Sequence, residues 1–456
     1  MAFVAPPDAL FLMAETRDHP MHIGAVGLWV PPPEAGDGFA REIYEEQRAN
    51  TRVCARFRRR PAHLLPLLHA LRWTVDDDID LDYHVRLWSL PKPGEIRELF
   101  ELVSRLHESP LDRHQPLWEY HVIDGLADGR VAIYQKVHHA LVDGVASMRL
   151  TMRQLSTNPT ERNTPAYWSP VEPAQGEPDS SATSPVGVLH SVAGATVAAG
   201  QFAVDAVKVA DSMRKGDLAD PMPSAPRTIL NTRVGSARRF AAQSWSIDRL
   251  RAVARRSDST LNDVVLAMCG GALRTYLLDL DALPLEPLIA AVPVSVRSSQ
   301  GSGGNAVSAL LCNLATDDAD ADRRLAAIAS SMRRGKEALS GLSPLSSFAV
   351  GGLAMHELLL AQIPGYAALV PPAFNVVISN VPGPTETMYL NGARLDGIYP
   401  TSIVMDGQAL NITVTNHAGY LDFGLIGDRK RVPHLQRLLA HLENALVALE
   451  KGVNLP

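Results

Sequence analysis

Cysteine is scarce in this chain. Cys54, Cys269 and Cys312 are the three in 456 residues, and their spacing suggests neither a disulfide framework nor a metal site, as expected in a reducing cytoplasm. Charge of one sign is missing too: 43 Lys+Arg stand against 49 Asp+Glu, and a net charge of -6 gives no reason to expect nucleic acid. No apolar stretch reaches the roughly 20 uninterrupted residues of a membrane-spanning helix. The nearest, 187–207, carries His190, Gln201 and Asp205 and reads as a packed or interfacial helix. The first 24 residues lack a basic segment followed by an apolar one, so no secretory signal is expected. What remains is an ordinary globular composition, 46% hydrophobic and 20% charged, in a chain too long for one average core. Two domains are expected.

The chemistry is concentrated in residues 131–150, VAIYQKVHHALVDGVASMRL. Residues 131–137 have the β-branched and aromatic composition of a buried strand, which runs directly into His138 and His139. Asp143 and Gly144 follow, and Val145, Met148 and Leu150 are spaced for one face of a helix. A strand therefore delivers two imidazoles to its end, and a short loop carries an acid into a helix. Imidazole, with an unperturbed pKa of roughly 6.5, suits proton transfer near neutrality. Asp143 is close enough in sequence to brace this loop, and its carboxylate is also free to face a distant cation. A purely structural histidine pair stays open as a reading. A metal site would need a third and usually a fourth ligand, and no further His/Cys cluster offers one.

Along the chain, 8–16 suggests a short helix capped by Asp8, followed by a strand at 25–30 and a polar helix near 37–50. The run Arg56, Phe57, Arg58, Arg59, Arg60 reads as a solvated basic face, with phosphate or anionic lipid as the lesser reading. Residues 72–89 are strand material broken by Asp76, Asp77 and Asp78. Residues 96–107 form an amphipathic helix with Leu99, Phe100, Val103 and Leu106 on one face. Pro116, Leu117 and Trp118 open a strand antiparallel to the one bearing His139, with Trp118 in the core. Residues 157–186, rich in Pro, Ser and Thr, read as a linker, and an Ala-rich helix follows at 187–213.

The second half offers a strand at 239–246, a helix at 247–256, and a long helix to about 278 that Thr260 caps. Strands follow at 287–296, ending at Arg297, and at 305–315. Helices at 319–341 and 345–362 precede a strand at 375–381, a hairpin at 409–417 and 420–426, and a closing helix at 433–450. The expected organisation is α+β: an N-terminal domain 1–156, a linker 157–238 and a C-terminal domain 239–456, each domain a mixed sheet backed by helices.

His138-His139-x-x-x-Asp143-Gly144 resembles the HHxxxDG signature of the coenzyme-A-dependent acyltransferase superfamily, which includes chloramphenicol acetyltransferase, plant BAHD acyltransferases and peptide-synthetase condensation domains. The motif selects the superfamily and not the reaction. More specific are PPDALFLMAETRDHPMHIG (6–24), SPLDRHQPLWE (109–119), HHALVDG (138–144), APRTILN (225–231), TLNDVVLAMCGGALRTYL (260–277), VPVSVR (292–297) and SNVPGP (379–384). Together they resemble, in order and over nearly the whole chain, the bacterial wax ester synthase/diacylglycerol acyltransferases of actinobacterial type. One departure is Asn416-His417-Ala418-Gly419, where members often carry Ser-Tyr-Asn-Gly, which bears on acceptor preference and not on the fold.

The resemblance implies two chloramphenicol-acetyltransferase-like domains with a tunnel between them, acyl-CoA entering from one side and an alcohol from the other. His139 would take the hydroxyl proton of diacylglycerol or a long-chain alcohol, and His138 would shape the site. Asn262 would lie near the reacting carbonyl, although helix capping is an alternative role for the Asn262-Asp263 pair. Asp143 would be a structural acid bonded to an arginine, for which Arg297 is the candidate. Gly144, Pro116, Leu117, Trp118, Asp263, Ser379 and Asn380 would shape the substrate site. The chemistry agrees: an attacking alcohol needs a base, and the tetrahedral oxyanion needs a positioned donor. No cofactor beyond acyl-CoA as co-substrate is implied, and the expected location is cytoplasmic, against a membrane face or lipid inclusion. Alternatives are a condensation-type transferase with a carrier-protein donor and a non-catalytic lipid-binding protein on the same fold.

Overall fold

A computed structural model describes residues 2–4, 6–62, 72–170, 225–295, 307–340 and 371–455. The N-terminal half is built on a six-stranded sheet in the order β12-β13-β2-β7-β6-β5. Its members are β2 (His22–Val30), β5 (Val85–Ser89), β6 (Trp118–Asp124), β7 (Val131–His138), β12 (Tyr389–Leu390) and β13 (Ala393–Thr401). The strand expected to carry the motif is β7, and it lies antiparallel to β6, as the sequence suggested. All eight of its residues are buried. Val131, Ile133 and Val137 pack into one apolar cluster and Ala132 and Tyr134 into the other, so helices or strands cover both faces. A small sheet of β1 (Ala2–Phe3), β4 (Arg72–Val75) and β3 (Arg59–Pro61) flanks it.

The second six-stranded sheet runs β10-β9-β11-β14-β15-β8. It comprises β8 (Arg238–Ser246), β9 (Ile289–Ser295), β10 (Val307–Asn313), β11 (Val376–Val381), β14 (Leu410–His417) and β15 (Tyr420–Asp428). The expected hairpin is present as β14 and β15, paired antiparallel from Leu410 with Gly427 to His417 with Tyr420.

Nine helices are described: α1 (Pro6–Ala14), α2 (Phe39–Ala49), α3 (Leu81–His84), α4 (Ile96–Glu108), α5 (Gly144–Arg153), α6 (Ile247–Arg256), α7 (Leu261–Leu278), α8 (Ala321–Ser340) and α9 (Arg437–Gly452). The amphipathic reading of α4 holds, with Leu99, Val103 and Leu106 buried. Asp8, in contrast, is not a cap. The helix begins two residues earlier, at a proline whose fixed φ suits the first helical turn, and Asp8 lies inside that turn.

The halves interlock. The sequence offered no strand at 393–401, because Gly397 and Pro400 interrupt the pattern and a bulge falls between Leu395 and Gly397. Yet β13 pairs with β2 and completes the N-terminal sheet from the C-terminal half. Both apolar clusters draw on both halves: Ile289, Ala291, Val377 and Val381 pack with Met21, Val137 and Val142. At the start of the expected linker, Trp168 is fully buried and stacks on Trp118 with ring centres 4.9 Å apart. The helices expected at 187–213 and 345–362 lie outside the described residues.

Candidate active site

The end of β7 is pinned on both sides. The His138 N–H donates to the Leu117 carbonyl at 3.0 Å, and the His139 N–H donates to the Met21 carbonyl at 2.8 Å. Pro116 and Leu117 are buried, so this segment shapes the site through its backbone. Trp118 is core: fully buried, stacked on His84 at 4.2 Å, and donating its indole N–H to the Phe57 carbonyl at 2.8 Å. The chain then turns tightly, with the Leu141 N–H on the His138 carbonyl at 2.9 Å. Asp143 caps α5, its Oδ1 accepting the Ala146 N–H at 2.7 Å, which satisfies one of the orphan donors of the helix start.

The two imidazoles face different surroundings. His138 is fully buried, and its Nδ1 accepts the Ala140 N–H at 3.1 Å. Its Nε2 lies 3.4 Å from Glu15 Oε1, within ion-pair distance but not aligned as a hydrogen bond. His139 is partly exposed, and the Phe11 ring of α1 lies flat against it, centres 4.1 Å apart and planes 20° apart. Burial drives the pKa of His139 down to about 4; the Asp143 carboxylate pulls it up, and His138 adds to the fall. A neutral ring with an available lone pair is the state a general base needs at neutral pH.

Behind the motif lies a buried polar layer. Lys136 donates to the carbonyls of Leu106 at 2.9 Å and Ser109 at 2.7 Å, and to Glu119 at 3.1 Å. Glu119 also holds His121 at 3.2 Å and Arg86 at 3.3 Å. This satisfied network packs β6 and β7 against the C-terminal end of α4, and each buried charge has its partner.

The remaining expected site residues divide. Gly144 opens α5, and a Cβ there would lie 3.7 Å from Val381, so the motif helix rests on the end of β11, the strand that bears Ser379 and Asn380. Ser379 is partly exposed and Asn380 exposed. Asp263 forms a capping box with Thr260: its Oδ2 accepts the Thr260 N–H at 2.8 Å, while the Asp263 N–H donates to Thr260 Oγ1 at 3.2 Å. Asp263 Oδ1 is buried without a partner among the described residues. Asn262, half-buried in the same turn, makes no hydrogen bond to the histidine motif among the described residues. Arg297, the expected partner of Asp143, lies outside the described residues. Sequence reasoning passed over Phe11, Glu15 and Arg113. The i, i+4 spacing of Phe11 and Glu15 was the available signal, but nothing local said that this helix roofs the histidines.

Two helix-backed sheets joined by an exchanged strand, with a His-His-x-x-x-Asp-Gly loop at the end of a central strand, define an acyltransferase of chloramphenicol-acetyltransferase-like, two-domain construction. Residues 4–265 match the family model of the wax ester synthase/diacylglycerol acyltransferase catalytic domain, and 303–450 match the model of the C-terminal domain of the same family. The chain belongs to that family. A protein of Mycobacterium bovis named a diacylglycerol O-acyltransferase is 49% identical over 457 residues, covering all of both chains. Another so named, from Mycobacterium tuberculosis, is 50% identical over 460 residues, covering 99% of this chain and 100% of its own. Among solved structures, the wax ester synthase/diacylglycerol acyltransferase from Marinobacter aquaeolei VT8 matches with a TM-score of 0.77 and 39% identity, over 99% of this chain and 100% of that one. The first condensation domain of the CDA synthetase shares the fold, with a TM-score of 0.60 at 15% identity over 99% and 96% of the two chains.

Proposed function

We propose that this acyltransferase moves a fatty acyl group from acyl-CoA to the hydroxyl of diacylglycerol or of a long-chain alcohol, with His139 as general base. The observation that carries the reading is the largely buried but accessible imidazole of His139, held neutral by its surroundings at the head of a pinned loop. In the step, His139 accepts the hydroxyl proton as the oxygen attacks the thioester carbonyl. The tetrahedral oxyanion collapses, the C–S bond breaks, and the leaving thiolate takes the proton back from the imidazolium. Both substrates meet in one complex, so no Ser or Cys nucleophile is needed. Asn262 is the proposed donor to the oxyanion, and a tunnel between the two halves is the proposed route for both chains. One oxygen of Asp143 caps α5, and an ion pair of the same carboxylate with Arg297 is the proposed brace of the motif loop.

The substrates argue for work at a lipid surface. No helix among the described residues is long and apolar enough to cross a membrane. On α1, above the motif, Leu10 and Met13 are 46% and 62% exposed. In the nearby basic cluster Arg58 pairs with Asp77 and Arg60 with Asp76, which leaves the exposed Arg56 and the partly exposed Arg59 as the candidates for lipid headgroups, together with the 187–213 segment.

A CoA-release assay tests the function: acyl-CoA offered with long-chain alcohols, monoacylglycerol and diacylglycerol, beside the same acyl group on a carrier protein. Thiol release that needs both acyl-CoA and an alcohol supports the proposal. Turnover with the carrier protein alone would make the chain a condensation-type enzyme, and no thiol release with any alcohol, from a protein that co-purifies with lipid, would leave a lipid binder. Flotation with anionic liposomes, with and without substrate, tests the surface reading, which fails if the protein stays in the dense fraction in both.

A further inference from the structure

We infer that Glu15 is a positioning residue: one buried carboxylate, anchored by Arg113, fixes both the backbone and the tautomer of the histidine pair. The inference rests on His139 being the base. Glu15 follows the last turn of α1, and its side chain is 5% exposed. Its Oε1 accepts the Met21 N–H at 3.2 Å, and Met21 in turn accepts the His139 N–H on its carbonyl at 2.8 Å. The carboxylate is thus one residue removed from the backbone of the base.

The same oxygen faces His138. Because His138 Nδ1 already accepts the Ala140 N–H, the proton of the neutral ring resides on Nε2, the nitrogen 3.4 Å from Glu15 Oε1. The other oxygen, Oε2, accepts Arg113 Nε at 2.9 Å, and Arg113 Nη2 donates to the Leu12 carbonyl at 2.6 Å. These are charge-assisted bonds, stronger than neutral ones. Burial pushes the Glu15 carboxyl up, but the contacts with His138 and Arg113 outweigh it and hold it down to about 2. The carboxylate is therefore ionised wherever the enzyme works.

Glu15 also sets the roof. Its N–H donates to the Phe11 carbonyl at 3.1 Å, so the residue that grips the motif strands is bonded to the one whose ring lies against His139. Arg113 ties this turn to the segment leading into Leu117, which holds the His138 N–H. Three separate pieces of chain meet on one carboxylate, and both histidines hang from the junction. A shift of about 1 Å in a catalytic group can cost on the order of 10²-fold in rate.

The test uses the full chain, acyl-CoA and a long-chain alcohol, with CoA release and melting temperature measured for Glu15→Gln, Arg113→Lys, His138→Ala and His139→Ala. Glu15→Gln keeps the shape and loses the charge. Its kcat is expected to fall roughly 10- to 100-fold with KM for both substrates unchanged. The same change made in His138→Ala should cost less, since one of its partners is already gone, while the Met21 and Arg113 contacts remain. Arg113→Lys should show a smaller loss of the same kcat-selective kind. A folded Glu15→Gln protein with ordinary kcat, or with its loss confined to KM, overturns the assignment. If Glu15→Gln does not fold, Arg113→Lys decides: a kcat-selective loss supports the inference and an unchanged kcat refutes it. An active His139→Ala enzyme would overturn the base itself, and this proposal with it.

Discussion

His138 and His139 are adjacent in sequence and opposite in circumstance. The first is sealed inside the protein with both nitrogens facing protein groups, and the second emerges beside Phe11. His139→Ala should therefore lower kcat by about 10²–10⁴-fold while the protein stays folded, as loss of a positioned base does. His138→Ala should cost less activity and more stability, because it empties a buried site. An inactive His138→Ala beside an active His139→Ala would reverse the assignment. The pH profile carries the same logic. A base must be unprotonated, and burial holds His139 down to about 4. The acid limb of kcat/KM should accordingly fall near pH 4, well under the ordinary imidazole value of 6.5. A limb at 6.5 would mean that the ring is solvated in the working enzyme. Asp143 can be judged by magnitude. Losing its helix cap alone costs about 0.5–2 kcal/mol, whereas stranding a buried partner costs roughly 3–5 kcal/mol. Urea denaturation of Asp143→Ala separates the two, and a value in the lower range would dismiss the ion pair with Arg297.

Elements with complete local signals were legible from the sequence. The motif strand, the amphipathic α4, the capped α7 and the hairpin of β14 and β15 each carry their own period and punctuation. The capping box of α7 gives the Asn262-Asp263 pair a concrete structural duty, performed by Asp263 with Thr260. Thr260→Ala should lower stability by about 1 kcal/mol in urea denaturation. Its effect on kcat reports whether Asn262, two residues on in the same turn, needs that helix end held still. Unchanged stability would show the cap to be idle. The helix α1 misled in a small way, since the proline start outweighed Asp8 as a boundary signal, and in a larger one. Its sequence gives a short apolar helix, and nothing in it says that Phe11 and Glu15 land on the histidines.

At the scale of the molecule, the two sheets meet where β13 passes β15. A Cβ on Gly424 would stand 1.8 Å from the Pro400 carbonyl, so only glycine lets the strands approach this closely. Gly424→Ala should force them apart, lowering the melting temperature by the equivalent of about 1–3 kcal/mol or more. It should also lower activity, because the same seam sets how the halves face one another. A variant with unchanged melting temperature would show that the seam yields freely. The sequence by itself determined the motif and the strand that presents it, since these are local patterns of period, turn chemistry and residue type, and its ordered motifs carried the resemblance that implied the family and the class of fold. Only the tertiary structure decided that β13 crosses into the N-terminal sheet, that both cores draw on both halves, and that Glu15, Arg113 and Phe11 surround the histidines. Pairing across hundreds of residues is settled by the shape and polarity of buried surfaces, and those exist only once the chain has folded.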